Sequence, residues 1–166
     1  MSTTASSANM SSVTSLVAIA LTLVSGYATY QSTASILNIR KYEEKAERAA
    51  EWSNTAKKRL WDTRYTIGAG FASCLLSLST ATAYIFVSSE PSISKAPVRN
   101  VWPAVLAVAL RFGASRYMYK FWSTKAMIPR MDQYNAAISQ SMEVINVLNV
   151  LSIGWGILAV VEVLPL

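Results

Sequence analysis

The chain has no histidine and a single cysteine, Cys74, and each absence removes a class of chemistry. Without histidine there is no ordinary hydrolase triad and no usual ligand set for zinc, copper or haem iron, so a protein-held transition metal is not expected. One cysteine cannot close a disulfide within the chain. Cys74 lies in an apolar run with no neighbouring charge to lower its pKa, and reads as a small buried apolar residue rather than a reactive thiol. A phosphate-binding glycine loop, a nucleophile elbow and internal repeats are also missing. Acidic residues are scarce, nine against 15 Lys and Arg, for a net charge of +6. An excess of that size can signal nucleic-acid binding, so its distribution has to decide.

What is present is apolar sequence in long blocks. Of the 166 residues 52% are hydrophobic, gathered into Val13 to Ile39, Tyr65 to Val87, Val101 to Trp122 and Val144 to Leu164. Each is near the roughly 20 residues that a membrane-spanning helix needs. A water-soluble bundle would show polar residues at helical spacing through every block. The fold class expected is therefore all-α, a polytopic membrane protein with a four-transmembrane-helix bundle. Residues 1–12, almost all Ser, Thr, Ala and Asn, read as a disordered tail. They lack the basic stretch of a signal peptide, and residues 13–166 form one domain.

The basic residues fall on one side of this plan. Arg40, Lys41, Lys45, Arg48, Lys57, Lys58, Arg59 and Arg64 lie between the first two blocks, and Arg116, Lys120, Lys125 and Arg130 between the last two. The remaining connection holds only Lys95 and Arg99. The positive-inside rule then places both basic connections in the cytoplasm and both termini on the other side, in the endoplasmic reticulum or another endomembrane. The positive charge is accounted for by the bilayer, and no nucleic-acid partner is implied. Arg40 with Glu44 and Glu44 with Arg48 are opposite charges four apart, which predicts a charged cytoplasmic helical hairpin between helices 1 and 2. Ser53, Asn54 and Thr55 suit the start of the second helix, and Trp52, Trp61 and Trp122 are placed for the headgroup level.

Several polar residues interrupt the apolar blocks. Thr22, Ser25, Thr29 and Ser32 share one face of the first helix, and Ser73, Ser77, Thr80 and Tyr84 one face of the second, as small residues do where membrane helices pack. Ser88 to Asn100, with Pro91 and Pro97, predicts an outer loop, and Pro103 suits the first turn of the third helix. Pro129 predicts a break, followed by a short surface helix over Met131 to Gln140. Arg111 is the residue that needs a reason. About 15 Å in from Val101, at 1.5 Å per residue, it sits near the middle of a hydrocarbon core about 30 Å thick. There it either faces an interior polar site or snorkels toward the interface. On the fourth helix Glu143, Asn146 and Asn149 recur every three residues along one broad face, and Asn149 reaches a depth close to that of Arg111.

The order of these features resembles the family of small four-helix membrane proteins that includes the fungal anthrone oxygenases. The resemblance rests on Ser25, Gly26, Tyr27, Ser32 and Ser35 in the first span and on Trp61, Tyr65 and Gly68 at the second. It continues through Trp102 and Ala104 at the third, Thr124, Met127 and Pro129 in the connection, and Leu148 and Asn149 in the fourth. It implies oxidation of a phenolic polyketide-type intermediate of secondary metabolism by a monooxygenase-like reaction without metal or flavin. An anthrone carbanion can reduce oxygen directly, so the protein has to supply a base, a cation and an apolar pocket. On that reading Arg111 is the cation, Glu143 or a tyrosine the base and Asn149 an orienting partner, with Asn146, Tyr84 and Trp102 as substrate contacts. The alternative is a non-enzymatic membrane scaffold or small transporter, in which Arg111, Asn146 and Asn149 bond to one another and leave no room for a ligand.

Overall fold

In a computed structural model, which describes residues 3–51, 54–88, 97–125 and 132–163, the chain is all-helical, with no strand among the described residues. The helices are α1 (Thr3–Ala50), α2 (Asn54–Ser88), α3 (Pro97–Val108), a π-helix (Ala109–Ser115), α4 (Arg116–Trp122) and α5 (Asp132–Val163). Three stretches are long and apolar enough to cross a membrane: Val13–Arg40, Leu60–Phe86 and Tyr134–Val163. Their outer surfaces carry Leu16, Leu23, Phe86, Ile153 and Val160, all more than half exposed. The third apolar block forms a helical run of 12, 7 and 7 residues in which the π segment separates α3 from α4. Backbone torsions at Val108 and Arg116 stay helical on both sides of it.

Several boundaries differ from expectation. α1 begins at Thr3, ahead of the apolar block, where the composition predicts a disordered tail; no Gly or Pro precedes Gly26 to stop the helix. α5 is one unbroken helix from Asp132, not a surface helix followed by a span, because it too contains no early breaker. Pro103 lies inside α3 rather than in its first turn, since α3 already begins at Pro97. The middle of the expected outer loop, the break at Pro129 and the interfacial Trp52 fall outside the described residues. α2 begins at Asn54, as its capping residues predict.

The four helical runs alternate in direction and pack as a ring. α1 lies between α2 and α5, α5 also packs along α3, the π segment and α4, and α2 closes the ring against α4 and the π segment. Glycine allows two of these approaches. A Cβ on Gly70 would lie 2.6 Å from Met118 Sδ, and one on Gly154 2.7 Å from Leu21 Cδ2.

The core is apolar with small polar nodes. Leu106, Leu110, Met118, Leu148, Leu151 and Leu158 fill it, and Trp155 donates from Nε1 to Ser77 Oγ at 2.9 Å while Ser77 shares a 2.9 Å hydrogen bond with Ser25. The hydroxyls of Thr22, Thr29 and Ser73 return to carbonyls four residues back at 2.8–2.9 Å, which removes their polarity from the surface. Trp122, read from sequence as an interfacial residue, is instead 1% exposed. It meets Phe121 edge-on, and its N–H has no partner among the described residues. At the basic end of the bundle Arg64 Nε donates to Glu43 at 2.7 Å and its Nη2 to Glu47 at 2.5 Å, tying α2 to α1. Such a forked pair holds geometry better than a single surface contact.

Candidate functional site

The polar site lies on the flank of the bundle. Arg111 leaves the π-helix away from Leu110, which is buried, and its side chain is exposed, so of the two settings expected for it, an interior site or a reach toward the interface, the interior one gives way to a place on the flank. Its Nη1 donates to Asn149 Oδ1 at 2.6 Å, and Ser115 Oγ donates to the same oxygen at 2.5 Å. Asn149 lies near the middle of the 30-residue apolar stretch Tyr134–Val163, so the pair sits at mid-height. Ser115 is buried, so its hydroxyl depends on this bond, and Asn149 is held from two directions.

A cleft of about 300 Å³ opens beside the pair, a volume at the lower end of ligand pockets. One wall is Arg111, Phe112, Ser115, Arg116 and Tyr119; the other is Ile145 and Asn149 of α5. No carboxylate lines it among the described residues, so the groove is a field of hydrogen-bond donors and positive charge between two apolar side chains. The arrangement suits an anion carried on an apolar body. A guanidinium removed from bulk water is a stronger electrostatic partner than one in solution, and its fork matches planar oxyanions.

The other residues singled out from sequence lie elsewhere. Glu143 faces α1, where Oε1 accepts from the Tyr27 hydroxyl and, at 3.1 Å, from Gln31 Nε2. Asn146 is exposed and does not line the cleft. The reason is helical phase: each step of three residues turns the side chain by about 60°, so two steps carry Glu143 and Asn149 onto different seams of α5. Tyr84 is buried, with its hydroxyl donating to Glu162, and Trp102 is exposed; neither touches the cleft. Sequence reasoning missed Ser115 and placed Arg116 and Tyr119 only in an interfacial belt. The signal available was the recurrence of Arg111, Ser115 and Tyr119 at intervals of four.

No group of three or more His, Cys, Asp and Glu side chains able to hold a metal ion occurs among the described residues. Neither a family model, a characterised protein nor a solved structure matches the chain.

Proposed function

We propose that the chain is a four-span endomembrane protein that takes an aromatic, acidic amphiphile from the bilayer into the Arg111–Asn149 groove and promotes its oxidation by oxygen. That is the activity which the resemblance to the anthrone oxygenases implies. The observation that carries the reading is a guanidinium anchored by Asn149 at mid-height, beside an open cleft with no carboxylate among the described residues that line it. In this reading α3, the π segment and α4 together form the remaining span, and the apolar flanks of the bundle face lipid. A bilayer-facing mouth suits a ligand that partitions into the membrane before it binds.

The chemistry needs little from the protein. Loss of a proton from the central methylene of an anthrone gives an enolate, which passes one electron to oxygen. The carbon radical and superoxide combine to a peroxide, and loss of water leaves a ketone. The methylene and one oxygen molecule become a carbonyl and one water, so no outside reductant is consumed. Arg111 holds the enolate oxygen as charge develops on it. Tyr119, the tyrosine on the groove, carries the proton. Glu143 fixes the α1–α5 seam through Tyr27 and Gln31 and takes no part.

Membranes containing the protein are expected to speed oxygen uptake by an anthrone-like substrate, with no loss on adding chelators. Uptake equal to that of empty membranes, or abolished by chelators, overturns the mechanism. The orientation follows from the concentration of Lys and Arg on two connections. Tags at both termini are expected to resist protease in sealed microsomes, and digestion of either tag from the cytoplasmic side would refute it.

A further inference from the structure

The π-helix does something to the groove that an α-helix could not. Residues five apart on an α-helix point about 140° away from each other. In the π segment the Arg116 N–H instead reaches the carbonyl of Arg111, a bond across five residues that stacks the two positions on one side. Both side chains line the same cleft, both are exposed, and neither forms an ion pair among the described residues. Asn149 Oδ1 is already taken by Arg111 and Ser115, so what Asn149 offers a ligand is its amide N–H₂, another donor. Tyr119 adds a hydroxyl, and Phe112 and Ile145 supply the apolar contact.

Two guanidinium groups lining one cleft, with no carboxylate among the described residues that line it, repel each other, and a single oxyanion compensates only one of them. From this, and resting on the groove being the ligand site proposed above, we infer that its ligand is an aromatic amphiphile with two acidic oxygen groups. A phenolate or enolate oxygen meets Arg111, and a carboxylate on the same ring system meets Arg116. The assignment of ends follows from depth. Arg116 is nearer the basic end of the bundle, where a well-hydrated carboxylate loses less water, and a guanidinium engages a carboxylate through two parallel hydrogen bonds. Arg111, at mid-height, takes the softer, less hydrated oxygen.

Binding of three small probes separates this from the simpler reading. The full chain in nanodiscs of zwitterionic lipid is titrated with 2-naphthol, 2-naphthoate and 3-hydroxy-2-naphthoate, with probe fluorescence corrected against empty discs. The hydroxy acid is expected to bind about ten-fold more tightly than either single-group probe, the gain of one added charge-assisted contact. Arg116→Gln is expected to erase that margin while leaving 2-naphthol within about two-fold of its original affinity, and Arg116→Lys to restore only part of it, because Lys keeps the charge without the fork. Arg111→Gln is expected to weaken 2-naphthol and the hydroxy acid together. Arg40→Gln, an exposed cation outside the cleft, controls for loss of net charge and is expected to change nothing. Size-exclusion profiles matching the parent protein establish that the variants fold. Equal binding of the three probes, all weakened by Arg111→Gln, overturns the two-point inference and leaves the groove as a ligand site. Absence of saturable binding by any probe overturns the ligand site itself.

Discussion

Arg111→Gln and Asn149→Leu are each expected to cut turnover of an anthrone-like substrate by about ten-fold or more, the effect of losing one preorganised electrostatic contact. The two act through different atoms. Arg111→Gln removes the cation from the cleft. Asn149→Leu leaves the cation but takes away the oxygen that receives both Arg111 Nη1 at 2.6 Å and Ser115 Oγ at 2.5 Å. The arginine then loses its aim, and the buried Ser115 hydroxyl loses its acceptor, which adds a stability cost of about 1–3 kcal/mol. The double variant is expected to be little worse than the worse single, because both changes disable one unit. Oxygen-electrode rates in membranes normalised for protein content are the measurement, and unchanged rates in both single variants would remove the groove from the chemistry.

A second large effect is expected at the centre of the bundle. Trp155 is fully buried and ties α5 to α2 through Ser77. Trp155→Ala is expected to cost about 3–5 kcal/mol, the range for truncating a large core aromatic. In a membrane the opened state keeps its helices inserted, so the loss is almost entirely one of helix-to-helix packing rather than of exclusion from water. Trp155→Phe keeps most of the volume and gives up only the 2.9 Å bond to Ser77. It is expected to cost well under the alanine change, since hydrogen bonds between membrane helices average about 0.6 kcal/mol. Thermal unfolding in detergent, followed by fluorescence-detected size exclusion, compares them. A phenylalanine variant as unstable as the alanine variant would mean that the polar node, not the packing, holds the centre.

Much of this architecture is legible in the residues. Long apolar blocks give the helices, Asn54 gives the start of α2, and counting along antiparallel helices brings Arg111 and Asn149 to one level, where their side chains meet. Depth is legible because rise per residue is nearly constant. Direction around the axis is less so, because a small error in phase grows with each residue. That is why Glu143 and Asn149, expected on one face, stand on different seams, and why Trp122 is buried rather than interfacial. The π segment has no marker in composition; Ala109 to Ser115 reads as ordinary membrane helix, and only tertiary packing selects the wider turn.

That wider turn also keeps the third helical run in step with itself. Leu106 is buried above it, Leu110 and Ser115 within it, and Met118 and Trp122 below it. An unbroken α-helix continuing from Leu110 would present positions 114, 117 and 121 to the core, and Met118 and Trp122 would swing out by about 80° to 120°. The π segment thus works as a one-residue spacer between two gears. A chain shortened by one residue between Phe112 and Ser115 would run as plain α-helix, and Met118 and Trp122 would then stand seven and eleven residues after Leu110, still turned to the core. The extra residue therefore belongs to the groove rather than to the core: its removal spares the packing below and falls on the spacing of Arg111, Ser115 and Arg116 along the cleft wall.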